Sequence, residues 1–542
     1  MAGLIGIGQS GLSAAYAQLQ TTGHNIANVN TPGYVRQEVL LESAGGSYTG
    51  AGFLGRGVNV ADVTRRYDRF IASEVTTGTA LAAGDSARAQ ALGQLDDLLA
   101  DTQSGLGVAM DDLRSALADL VNQPAASTTR DVVLQRAEAL AVQFRATSQR
   151  MAQLGVEADL RIADSVEAVN GRLDAIADLN RLIATAQATG KQPSDLLDQR
   201  DRLIDEVAGT LQVSRLEQAD GSVSLFAASG QPLVAGGTAS RLATRADPQD
   251  PARLQVVFEV SGNRIPADVG ALGTGKLAGL MRFRDQDLAS AQGRLGQLAA
   301  AVAGAYNGQQ ALGFDADGNA GAPLFGPMSV AATAAAGNVG DAALSVAVED
   351  PAALRASDYR LSFDGSAYQL ERLPDGGVTS LAALPASVDG LRIELASGSM
   401  TIGDRITIRG ASGFAAQMSL ALTDGDGLAT GATNVDSATD NRNARALAAL
   451  GDAPLVAGAT FTDAFAALVA DVGGRTAQAQ AAAEGSGALL SHARAAFAAE
   501  SGVNLDEEAA RLLQYQQAYQ AAARVIATAN SMFDTVLSVV SR

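Results

Sequence analysis

Apolar residues recur every seven positions at both ends of this chain. Near the N-terminus Ile5, Leu12, Leu19 and Ile26 form one line, with Ala15 and Thr22 three places beyond Leu12 and Leu19. Near the C-terminus Leu505, Leu512, Tyr519, Ile526, Phe533 and Val540 keep the same spacing. Tyr515, Ala522, Ala529 and Val536 lie three places after Leu512, Tyr519, Ile526 and Phe533. Two such lines make a narrow seam of coiled-coil type. The N-terminal helix is predicted to stop near Asn28, because Asn30, Thr31, Pro32 and Gly33 form a turn signal. The C-terminal helix is predicted to be about 50 Å long at 1.5 Å per residue. Asn504 or Ser501 is placed to cap it, and Asp506, Glu507 and Glu508 suit the positive end of its dipole. Either seam alone is ordinary helix packing. Two seams at opposite ends favour mutual pairing, and a seam at a chain end is a handle for self-assembly.

Between the ends the period changes twice. Asp85 to Val213 reads as helical, with a break at Asn122, Gln123 and Pro124 and a new helix capped by Thr128 or Thr129. That helix carries Leu140, Phe144, Met151, Leu154, Ile162, Val166, Val169, Leu173, Ile176 and Ile183 on one stripe, and Gly190 and Pro193 close it. Leu254, Val256, Phe258 and Val260 alternate as a half-buried strand does, within a β-rich stretch from Leu216 to Val269. Helix returns from Lys276 to about Tyr306. Tyr359, Leu361 and Phe363, then Asp364-Gly365, then Tyr368 and Leu370 predict a hairpin. Leu391, Ile393, Leu395, Ile406 and Ile408 add strands, and helices resume at about Thr460.

The predicted fold class is α+β, multidomain and discontinuous. It has paired N- and C-terminal coiled-coil helices, a long-helix bundle and inserted β-rich outer domains. The expected division joins residues 1–60 and 500–542 as a terminal assembly domain, and 61–215, 273–325 and 460–499 as a helical bundle. Residues 216–272 form a small β subdomain and 326–459 a β-rich outer domain.

Composition narrows the functional classes. The chain has 542 residues, a net charge of −19 and no cysteine. The negative charge argues against a nucleic-acid groove or an anionic membrane surface as partner. Without cysteine there is no disulfide, thiol nucleophile or thiolate metal site. Residues 1–35 contain no Asp, Glu, Lys or Arg, so the basic start of a secretory signal is missing. No apolar run is long enough to span a bilayer, and no membrane insertion is expected.

Candidate chemistry is sparse. Gly270 to Leu277, GALGTGKL, nearly matches a phosphate-binding loop but lacks the Ser or Thr that should follow Lys276. Asp315, Asp317 and Asn319 resemble part of a calcium loop without its glycine and distal glutamate, and Asp424 and Asp426 read as a polar turn. His24 and His492, the only histidines, sit at opposite ends of the chain. The reading is of no active site, no cofactor and no metal site.

The stretch TTGHNIANVNTPGYVRQE, Thr21 to Glu38, resembles the N-terminal signature of flagellar rod, hook and hook-associated proteins. SGVNLDEEAARLLQYQQAYQAAARVIATANSMFDTVL, from Ser501, resembles the matching C-terminal signature. DLLDQRDRLIDEVA (Asp195 to Ala208), GKLAGLMRFRD (Gly275 to Asp285) and GFDADGNAGAPLF (Gly313 to Phe325) are similar to the hook-associated protein 1 family (FlgK family). The resemblance thins between Met328 and Thr460. It implies a structural component at the hook–filament junction, exported unfolded through the flagellar type III apparatus with a chaperone on its C-terminal helix. It also implies partners: the hook protein, hook-associated protein 3, and further copies of the chain in a ring. The assembly residues it points to, together with the seams, are Ile5, Leu12, Leu19, Asn25, Ile26, Asn28, Thr31, Pro32, Gly33, Tyr34 and Arg36 at one end. At the other they are Leu505, Leu512, Tyr519, Ile526, Phe533 and Val540. The rival readings are a hook or distal rod protein, and an adhesin or enzyme carried by the 328–460 insert on a flagellar scaffold. Frayed ends are expected in the isolated chain, since an amphipathic helix without its packing partner is marginal.

Overall fold

A computed structural model describes residues 2–49, 52–101, 105–251, 253–260, 262–373 and 375–540. The chain goes out and comes back. Helix α1 spans Ala2–Ala27, and strands Gln37–Ser43 and Val58–Arg65 then pair antiparallel. Helix α2 (Arg69–Leu99) starts earlier than the apolar pattern suggested, because the Asp68 carboxylate accepts from the Phe70 and Ile71 amides. Helix α3 is Leu106–Asn122, α4 Ser127–Gln187 and α5 Ser194–Ala208. The residue capping α4 is Ala126; Thr128 and Thr129 lie inside its first turn, where the Thr129 hydroxyl donates to the Gln123 and Ala126 carbonyls.

With 61 residues α4 is about 90 Å long and passes through two cores. Its first half supplies Val133, Leu140, Phe144 and Met151 to one core, and its second half supplies Ile162, Val166, Val169, Leu173 and Ile176 to the other. The second core is roofed by antiparallel strands between Val213 and Pro266. Two asparagines of α4 grip that roof as a neighbouring strand would. Asn180 donates to the Val223 and Gly236 carbonyls and accepts from the Val223 amide, and Asn170 bonds both backbone groups of Leu242.

Short helix α6 (Val269–Leu272) leads to α7 (Lys276–Arg282), a π-helical turn (Phe283–Leu288) and α8 (Ala289–Ala311). The π turn buries Asp287 between Arg88 of α2, at 2.8 Å, and Arg475, at 3.3 Å. A five-stranded sheet and a three-stranded sheet follow between Ala331 and Arg409. The predicted hairpin is there, pairing Tyr359–Phe363 with Tyr368–Arg372. The last strand ends at Arg409, as the pattern predicted, and the chain leaves the sheets there rather than at the expected outer-domain boundary of 459. Residues beyond Arg409, including α9 (Phe414–Gln417) and α10 (Arg442–Ala449), lie back against α3, α4 and α8. Buried Arg130 of α4 ties down this returning loop, donating to Leu428 O and Thr430 Oγ1. Helices α11 (Phe461–Ser501) and α12 (Leu505–Val540) complete the chain. Helix α11 runs antiparallel to α2, with Tyr67 packed edge-on against Phe497 at one end and Thr476 bonded to Leu92 O at the other. No helix among the described residues is long and apolar enough to cross a membrane.

Candidate assembly site at the joined chain ends

Helices α1 and α12 run antiparallel along each other. Gly11 faces Ala522, and a Cβ on Gly8 would stand 2.7 Å from Ile526 Cγ1, so the two helices meet where α1 has no side chain. The seven-residue lines are a half-buried border around this contact. Ile5, Leu12, Leu19 and Ile26 are all half-buried, while Gly8, Ala15 and Thr22 between them are buried. On α12, Leu512, Tyr519 and Ile526 are half-buried and Ala529 is buried, but Leu505 and Phe533 are 50% and 47% exposed. Those two stand where the overlap with α1 runs out. Val540 ends the helix, and its side chain lies outside the described residues.

The signature after α1 folds into a turn locked by its own polar groups. Asn28 donates to His24 O, and the Thr31 hydroxyl donates to Asn28 Oδ1. Thr31, Pro32 and Gly33 are exposed, with Gly33 at φ +80°. Tyr34 swings back so that its hydroxyl donates to Asn25 Oδ1 at 2.7 Å and meets His24 Nδ1 at 3.0 Å. Burial, reinforced by the charges of Asp198, Asp195 and Glu508, pushes the Tyr34 phenol well above its ordinary range, so it stays a donor.

Asn25 and Arg36 do not face outward, as an interface assignment would require. Asn25 is 1% exposed, and its amide donates to Gln37 O at 2.9 Å and Glu508 Oε2 at 3.1 Å while its oxygen accepts from Gln37 N. Arg36 is 4% exposed, with its Nε 2.8 Å from Glu508 Oε1 and its Nη2 2.7 Å from both Glu507 and Glu508. Its amide donates to Ser501 O, joining the signature to the end of α11. These residues tie the two chain ends together from inside. Glu508, read from sequence as a partner for the helix dipole, is 1% exposed and neutralises Arg36 instead. Its signal was its register: it lies seven residues before Tyr515, on an otherwise uncharged seam line. Asn504 caps α12 as expected, its carboxamide accepting from the Asp506 and Glu507 amides.

The enzyme-like motifs have structural occupations. In the near-match to a phosphate loop, the Lys276 and Leu277 amides donate to Gly209 O and Thr210 O, so they are not free to cradle phosphate. Asp315 accepts from the Asp317 and Asn319 amides and from the Asn319 side chain, closing its own turn. Among the described residues, no group of three His, Cys, Asp or Glu is placed to hold a metal.

The joined ends, with both signatures in one unit and a bundle and β sheets inserted between, define a flagellar axial structural protein. Comparison with known families agrees. Residues 5–34 match the family "Flagella basal body rod protein" and 494–539 match "Flagellar basal body rod FlgEFG protein C-terminal". Residues 92–325 match "Flagellar hook-associated protein FlgK helical domain", and 333–410 match "Flagellar hook-associated protein 1, D2-like domain". Flagellar hook-associated protein 1 of Escherichia coli K12 is 34% identical, covering 99% of this chain and 100% of that one. The Salmonella typhimurium protein of the same name is 35% identical over 99% and 100%. The solved structure of the flagellar hook junction protein FlgK from Burkholderia pseudomallei superposes with a TM-score of 0.73 at 25% identity, covering 78% of this chain and 98% of that one. The chain belongs to the flagellar hook-associated protein 1 family.

Proposed function

We propose that this chain forms a ring of identical subunits between the hook and the filament, contacting the hook protein on one side and hook-associated protein 3 on the other. One observation carries the reading. The unit made of both chain ends leaves large apolar side chains uncovered along its helices: Leu4, Tyr16, Leu513, Met532, Val536 and Leu537 are each about half exposed or more. Large apolar side chains exposed along one helix pair of an otherwise acidic chain are what further subunits would cover. The residues that tie the ends together set the register of that surface, and most of it stands beside the seam lines, whose own residues are largely half-buried. The role is mechanical and needs no substrate. Export through the flagellar type III apparatus, with a cytoplasmic chaperone covering the C-terminal helix beforehand, fits the same exposed surface.

The test is a strain lacking this chain, imaged for surface structures, with the medium assayed for flagellin. Hooks without filaments and unpolymerised flagellin outside the cell are the expected result. Absent hooks would move the protein down to the hook or rod. Normal filaments and motility would overturn the junction reading.

A further inference from the structure

The motif DLLDQRDRLIDEVA is α5 from its second residue onward, and the joining of the chain ends does not account for it. Asp195, Asp198, Asp201 and Asp205 are spaced three, three and four apart, which puts all four carboxylates on one face of the helix. The opposite face, Ile204 and Val207, is buried in the second core.

The acids of that face are bound by residues spread from the N-terminal signature to α2. Asp195 accepts from the Gln37 side chain of the first strand at 3.3 Å. Asp198 accepts from the Val35 amide, next to the exposed turn, at 3.2 Å, and pairs with Arg65 at 2.8 Å. Asp201 takes the other nitrogen of Arg65 at 2.7 Å and lies 3.8 Å from Arg200 and Arg215. Asp205 accepts from the Thr76 hydroxyl of α2 at 2.7 Å. Arg65 is the hub. It is almost fully buried, forks between two aspartates, and stacks its guanidinium 4.6 Å from the centre of the Tyr67 ring, whose hydroxyl accepts from Arg215. A buried arginine paired with two carboxylates, hydrogen-bonded to Asp201 and seated over an aromatic ring, holds the second strand close to α5.

We propose that α5 is the bracket that fixes the angle between the terminal assembly unit and the helical bundle, with Asp198 and Asp201 as positioning residues acting through Arg65. A bond anywhere along the pair α2 and α11 would permit hinging about the helix axes. Five contacts spread over three turns of one helix, reaching the strands Gln37–Ser43 and Val58–Arg65 and helix α2, oppose rotation in two directions. The inference goes beyond the junction reading, which concerns only what the terminal unit touches outside the chain. Its test therefore stands or fails separately.

The chain has no cysteine, so a spin-label pair can be placed cleanly in the full protein. Glu42→Cys on the first strand and Ala168→Cys on α4 are exposed sites on the two units. Double electron–electron resonance should give one narrow distance peak in this background. Asp198→Ala with Asp201→Ala should lose that peak to a broad distribution while circular dichroism keeps the helical signal. Glu206→Ala, on the same helix but bonded to Arg172 of α4, should leave the peak intact. If the double variant loses helix, Asp201→Asn against Asp201→Glu makes the same comparison: the first should broaden the distribution and the second restore it. A peak kept in the Asp198 and Asp201 variants, lost equally in Glu206→Ala, or absent from the parent would overturn the proposal.

Discussion

Arg36, the first charged residue of the chain, is buried against Glu508, with Nε 2.8 Å and Nη2 2.7 Å from the same carboxylate oxygen. The pair closes a loop of nearly the whole polypeptide and sits where α1, the first strand and α12 meet. Desolvating two charges is expensive, and such a pair is more persuasive as a device for register than as a source of stability.

Removing one partner leaves the other charge buried. Glu508→Ala is expected to destabilise the terminal unit by at most about 3–5 kcal/mol, the range for breaking a buried pair on one side, since Glu507, more exposed, still pairs with Arg36. Hydrogen exchange resolved by peptide should show faster exchange in residues 25–37 than in the parent. Unchanged protection there would mean that the pair does not hold the signature in place.

The exposed end of α12 and the tied end should behave differently in the isolated chain. Around Asn25, Gln37 and Glu508 buried polar bonds cross between segments, whereas Met532, Phe533, Val536 and Leu537 are each about half exposed. Amides of residues 530–540 are expected to exchange faster than those of 505–520, and to slow on assembly. Equal protection along the whole helix would contradict a surface that waits for neighbours.

Lys276 and Gly279 provide a test of the phosphate-loop resemblance. Helix α7 crosses α2 so closely that a Cβ on Gly279 would collide with Gly84 O, and one on Gly84 would stand 2.9 Å from Gly275 O. Gly279→Ala is expected to lower the melting temperature, with a cost of about 1–3 kcal/mol or more from overpacking. Lys276→Gln should leave melting unchanged, and ATP should not shift the melting of either protein. A nucleotide-dependent shift lost in Lys276→Gln would reinstate the motif.

Acidity should stabilise the protein before it harms it. Burial pushes the Asp198 and Asp205 carboxyls up to about 6, with Arg65 opposing the shift at Asp198 and the Thr76 hydroxyl opposing it at Asp205. A carboxyl with a folded pKa above its unfolded value binds its proton more tightly when folded, so stability rises as pH falls from 7 toward about 4. Asp440, held below the usual range by Arg442, and Asp364, held there by the Ala367 amide, contribute in the opposite sense. Their stability is present above the ordinary carboxylate pKa and is lost below it. Denaturation midpoints should therefore be higher at pH 5 than at pH 7.5, and Asp198→Asn with Asp205→Asn should flatten that rise. A midpoint falling steadily from pH 7.5 to 5 would contradict it.

Periodicity exposed the helices, the hairpin and the seams, because each depends on residues close in sequence. It determined that both ends are helical, that α4 is a single long helix with one apolar stripe, and that the chain closes with a seven-residue repeat. The signatures determined the family. The seams also favoured pairing of the two terminal helices, and α1 and α12 do pair. What the linear pattern could not give was the detail of the contacts. That α1 lies antiparallel on α12 through Gly8, that Asn25 and Arg36 turn inward, and that Glu508 is spent on a buried cation are contacts across hundreds of residues. Local spacing does not encode them. The same holds for the early return of the chain after Arg409, anchored by Arg130, and for the acid face of α5, whose spacing was legible but whose partners, Gln37, Val35, Arg65 and Thr76, were not. Sequence decided which residues are apolar, charged or helix-forming, because those are properties of single side chains and near neighbours. Tertiary structure decided which charges are buried and against what, because the cost of desolvation arises only when distant segments close over them.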